Sequence, residues 1–168
     1  MSISVRQANM YLKKKYETTM KKVFSRIKSL FHKGPRITYA QSHRLACIKL
    51  SGIASMKIQQ KYMVNATKDY YFLPSDAMND AYHVAESVTK NYPWAKKLKD
   101  HEKKAILKFG DILNQQGEFV DTQDTPWDEL VNQNPHWDKI RSAAQQCLAS
   151  LEFNLNEYET EELKTETS

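Results

Sequence analysis

The apolar residues of this chain recur at every third or fourth position in one segment after another, which places them along one side of an α-helix and breaks the alternation a strand needs. In "YLKKKYETTMKKVFSRIKSLFHK", the residues Leu12, Tyr16, Met20, Val23, Phe24, Ile27, Leu30 and Phe31 fall within an arc of roughly 120° at ~100° per residue. The pattern predicts an amphipathic helix with one buried face. Gly34-Pro35 stops it, because glycine accepts a left-handed terminus and proline cannot continue the ladder.

The same period continues downstream. "TYAQSHRLACIKLSGIASMKIQQKYMV" is apolar around more of its circumference and rich in small residues, so it belongs at the centre of a bundle; Gly52 marks a candidate kink, since glycine costs about 1 kcal/mol in a helix interior. After the connector "TKDYYFLP", Ser75 is placed as an N-cap for a helix carrying Met78, Ala81, Tyr82, Ala85, Val88 and Tyr92. Pro93 then opens the next helix, whose buried stripe is Trp94, Leu98, Ala105, Phe109, Ile112 and Leu113, ending near Gly117. Two similar starts follow, "DTPWDEL" and "QNPHWDKI", each with a Thr or Asn cap before proline and an aspartate in the first turn. The last helix aligns Trp137, Ile140, Ala144, Leu148, Leu151 and Leu155.

The expectation is an all-α, single-domain bundle of five to six helices over residues 1–155, with a basic amphipathic N-terminal helix. Residues 156–168 have too little apolar surface to pack and are expected to form a flexible, disordered acidic tail. A chain of 168 residues can bury a core without a disulfide or metal staple. Cys47 and Cys147 form no spaced framework and no secretory signal is visible, which points to a reducing, cytoplasmic setting. No apolar run approaches the ~18 to 20 residues needed to cross a bilayer.

Charge is unevenly distributed. Residues 1–36 hold ten basic side chains against Glu17 alone, a net of +9, and residues 151–168 hold six glutamates against Lys164, a net of −5. The middle is close to neutral. Such asymmetry suits a polyanion-attracting surface at one end and an acidic segment at the other.

Catalytic signatures are missing. The four glycines, Gly34, Gly52, Gly110 and Gly117, are too scattered for a phosphate loop, and neither a nucleophile elbow nor a paired-histidine metalloprotease motif occurs. His43 and Cys47 lie four apart on one helix face, as two metal ligands would. The other histidines and the second cysteine are isolated, so Cys47 reads as a core residue and no metal or other cofactor is expected. Glu118, Asp121, Asp124, Asp128 and Glu129 gather around a loop, but without the alternating ligands and central glycine of a calcium-binding hand.

The basic residues of the N-terminal helix project opposite its apolar stripe, forming a positive ridge of about 30 Å. Lys14, Lys15, Lys21, Lys22, Arg26 and Lys28 are the candidate contacts to the phosphate backbone of a nucleic acid, where neutralising phosphates releases counterions without reading sequence. A membrane role for this helix is disfavoured because its apolar face lacks tryptophan and the other helices need it as cover. The alternative is a protein-binding accessory, inhibitor or immunity-type regulator using a helical surface, with tyrosine and tryptophan as interface anchors. Either way the expected protein binds rather than catalyses. Its oligomeric state is not encoded in any pattern found.

Overall fold

In the computed structural model, which describes residues 37–67 and 71–164, the small-residue segment forms helix α1, Tyr39–Ala54. Its Cys47, Leu50, Ile53 and Ala54 are completely buried. Gly52 does not kink the helix. It lets the Phe72 ring lie against the backbone, where a Cβ would stand only 2.6 Å from Phe72 Cε1. The break comes at Ser55, whose extended backbone ends α1 and whose Oγ accepts from Ile58 N at 3.1 Å to start α2, Met56–Gln59. A π-helical turn, Gln60–Val64, follows directly.

Helix α3, Pro74–Thr89, begins with proline in its first turn, where the missing N–H costs nothing. Leu73 occupies the cap position without a side-chain bond, so Ser75 lies inside the first turn rather than capping it. Beyond α3 the chain reverses at Asn91, which has φ 52°, and makes a 3₁₀ turn at Ala95–Lys97. The helix expected from Pro93 begins only at Asp100, because Leu98 and Lys99 are extended. Helix α4, Asp100–Gly117, is fixed at that point by Glu102, whose Oε2 accepts from Lys99 N at 2.6 Å.

The two tryptophan starts behave differently. Helix α5, Trp127–Gln133, has Pro126 at its cap position and no side-chain cap. Helix α6, Pro135–Ser150, is capped as the sequence predicts, with Asn134 Oδ1 accepting from His136 N at 2.9 Å and Trp137 N at 3.0 Å. It stops short of Leu155, because Glu152 adopts φ 57° and Phe153 N returns to Leu148 O at 3.0 Å.

Helices α1, α3, α4 and α6 each pack against the next, and α6 closes back on α1. Lys49 Nζ reaches Asp80 Oδ1 at 2.7 Å, His43 faces Glu102 across 3.5 Å, and Gln116 meets His136 at 2.8 Å. With Trp137 at the start of α6 bonded to Gln59 just beyond α1, these pairs fix an up-down-up-down order. Gly110 brings α4 within 3.1 Å of Ala85 on α3, measured from the Cβ it lacks. Leu50, Ile53, Val84, Ile106, Phe109, Leu113, Trp137, Ile140 and Leu148 fill the centre, each contributing roughly 1.5–3 kcal/mol or more by burial.

One polar group crosses this core. Gln59 is fully buried; its Nε2 donates to the carbonyls of Gly52 at 3.0 Å and Ile53 at 2.7 Å, which the end of α1 would otherwise leave unpaired. Its Oε1 accepts from Trp137 Nε1 at 3.1 Å and from Arg141 Nε and Nη2 at 3.1 and 2.9 Å. Arg141 is itself buried and completes its bonds at Val131 O, 2.6 Å away, and at Asp138.

The chain beyond α6 departs from the expected disordered tail. Leu155–Lys164 forms helix α7, started by Asn154 Oδ1, which accepts from Glu157 N at 3.2 Å. Its anchor is Glu159, only 6% exposed. A carboxylate does this, so counting apolar residues could not reveal it. Seven α-helices are thus present among the described residues, against the five to six expected for the whole chain, with no strand among them. None is long and apolar enough to cross a membrane.

Candidate functional site

The six candidate phosphate contacts, Lys14, Lys15, Lys21, Lys22, Arg26 and Lys28, and the N-terminal helix expected to carry them lie outside the described residues. The bundle supplies the remaining candidates.

His43 and Cys47 do meet on α1, with Sγ 4.0 Å from Nδ1. The other ring nitrogen, Nε2, is buried without a hydrogen bond and stands 3.5 Å from Glu102 Oε1. Cysteine, histidine and carboxylate therefore follow one another as in a nucleophilic triad. The thiol is nevertheless unsuited to attack. Cys47 is completely buried, and burial, helped by the Glu102 charge, pushes its pKa up to about 12. A nucleophile needs the opposite shift toward thiolate. Cys147 lies in the same core and is likewise pushed up to about 12, by burial first and by Cys47 second. Among the described residues no three His, Cys, Asp or Glu side chains are placed to hold a metal ion.

The loop acids remain in solvent. Glu118, Asp121, Asp124, Asp128 and Glu129 are all exposed. Asp121 Oδ1 accepts from Gln123 N at 2.9 Å and Asp124 N at 3.0 Å, and these backbone bonds, Asp124 first, hold its carboxyl below the usual range. The group serves as a turn former.

Two open grooves flank the bundle. One, of about 450 Å³, lies between α3 and α4 along Asn79, Tyr82, His83, Glu86, Leu107 and Asp111. The other, of about 410 Å³, has Leu45, Ile48, Gly52, Tyr62, Phe72 and Tyr158 on its walls and the Lys49–Asp80 pair at its rim. Neither brings a nucleophile to a base.

Charge is where the bundle differs most from the sequence expectation. The neutral middle is a sum of two opposed blocks: residues 90–108 hold seven lysines against Asp100 and Glu102, and residues 109–138 hold seven acids and no lysine or arginine. Helix α4 starts in the first block and ends in the second. A sliding count of charge along the chain would have separated them.

Over the described residues, fold and surface together define an all-helical protein built on an up-down-up-down core of four helices, with an uneven distribution of surface charge. No family model, curated protein or solved structure matches the chain.

Proposed function

We propose that this protein acts by binding, and that its partner is a nucleic acid held through backbone phosphates by Lys14, Lys15, Lys21, Lys22, Arg26 and Lys28. The observation that carries the reading is the partition of charge. Residues 1–36 carry a net of +9, while residues 37–168, with fifteen basic and nineteen acidic side chains, carry −4. The whole positive excess of the chain sits in the first segment, the distribution expected of a cationic element presented by a scaffold that does not itself attract polyanions uniformly.

The test is duplex binding by the full chain as a function of salt. Replacing Lys14, Lys21, Lys22 and Lys28 together by glutamine is expected to weaken binding evenly across sequences and to flatten the logarithmic salt dependence by about 0.9 per lost contact. Absence of binding by the unmutated protein near ~50 mM salt, where phosphate contacts are strong, would reject the reading.

A second reading, a protein-binding accessory, inhibitor or immunity-type regulator, is favoured by Phe119. It is 60% exposed, stacks on His136 at 4.7 Å and lies within residues 109–138, which hold seven acids and no lysine or arginine. An exposed aromatic anchor on an acidic segment suits a basic polypeptide.

A further inference from the structure

We infer that the corner where α3 hands over to α4 is a second phosphate-contact surface, formed by Lys96, Lys97, Lys103, Lys104 and Lys108. The inference rests on the nucleic-acid reading above and extends it to a surface the sequence did not single out.

Of the seven lysines in residues 90–108, two are matched: Lys90 Nζ lies 2.5 Å from Glu86 and Lys99 Nζ 3.4 Å from Glu152. The other five make no ion pair with any described residue, and all but the half-buried Lys103 are exposed. The two acids of the block do not neutralise them. Glu102 is buried and committed to Lys99 N and to the side facing His43, and Asp100 sits in the first turn of α4. At ~100° per residue, Lys104 and Lys108 share the arc of α4 opposite its buried Ile106, Phe109 and Leu113, while the half-buried Lys103 stands at the margin of that buried face. Lys96 and Lys97 extend the patch onto the 3₁₀ turn.

The fold does not require these charges. Lysines around the start of a helix oppose its macrodipole, and none of the five forms a salt bridge within the bundle. Chemistry favours a phosphate chain over an acidic protein as the partner. Lysine is depleted at protein–protein interface cores, which need apolar anchors, and Leu107, at 41% exposure, is the one large apolar side chain exposed on this stretch of α4. A phosphate backbone needs only cations at intervals.

The experiment compares four full-length proteins on a random-sequence duplex of about 20 base pairs over a range of salt: unmutated, the N-terminal lysine-to-glutamine set, the five bundle lysines changed to glutamine, and both sets combined. Circular dichroism confirms that each is folded. The bundle set is expected to bind roughly tenfold or more weakly near ~50 mM salt and to flatten the salt dependence, with the combined protein weaker than either parent. Unchanged affinity and slope in the bundle set, with the N-terminal set impaired, would overturn this inference and leave the function reading standing. Loss in the bundle set alone would support the inference while rejecting the N-terminal ridge. Failure of the unmutated protein to bind duplex, or retention only of an acidic polypeptide such as polyglutamate, would overturn both.

Discussion

Ser55 Oγ donates a 2.7 Å hydrogen bond to Glu159 Oε1 while accepting from Ile58 N at 3.1 Å. One hydroxyl thus both starts α2 and holds α7. Lys57 Nζ, 2.9 Å from Glu159 Oε2, completes the carboxylate's partners.

Ser55→Ala should therefore destabilise the protein more than loss of a cap alone, which costs about 1 kcal/mol, because the buried carboxylate also loses a partner worth roughly 1.5–3 kcal/mol. Glu159→Ala should release α7 specifically. Hydrogen exchange should show amides in Leu155–Lys164 losing protection in both variants, with the four central helices retained in Glu159→Ala. Unchanged exchange there would refute the role assigned to this contact.

Gln59 is the most consequential polar side chain in the core. Gln59→Leu would strand the Gly52 and Ile53 carbonyls, Trp137 Nε1 and Arg141 Nε, and would leave Arg141 Nη2 with Val131 O alone. Burial already lowers the Arg141 pKa, with Asp138 opposing the shift, so removing an acceptor leaves a charge short of partners. The expected loss is about 3 kcal/mol or more, read from the denaturant midpoint. A loss under about 1 kcal/mol would mean water replaces Gln59.

Alkaline pH should destabilise the fold through the two cysteines. Both thiols have folded pKa values raised to about 12 from an ordinary 9.0, so the folded state retains protons that the unfolded chain releases. Stability is then full below pH 9 and declines between pH 9 and about 12. Burial raises Tyr39, Tyr82 and Tyr158 in the same direction. Thermal melts of Cys47→Ala/Cys147→Ala should fall less steeply over that range than those of the parent, and native thiols should resist an aromatic disulfide reagent at pH 8 until the protein is unfolded. Rapid native labelling would contradict the burial on which the shift depends.

What the sequence determined by itself is what depends on period and on neighbours. The 3.6-residue recurrence determined the helical class and the core stripe of α6, and Asn134 before proline the start of α6. These are interactions within one or two turns, so a local pattern contains them. In α3 the recurrence put the exposed Tyr82 on the buried face and passed over Val84, and in α4 it passed over Ile106. The tertiary structure decided what depends on residues far apart in the chain. Gly52 is a seat for Phe72 rather than a hinge. Cys47 owes its raised pKa to burial and to Glu102 on another helix, and the partly exposed His43 faces the same carboxylate. The tail is helical over Leu155–Lys164 because a carboxylate found Ser55, which lies 104 positions away. The lysine corner, by contrast, lies within residues 96–108 and was legible in the local charge; folding decided only which of its lysines stay exposed. Hydrophobic periodicity reports which face is buried, but a long-range polar contact is set by whichever segment folding brings alongside, and no single segment encodes its partner.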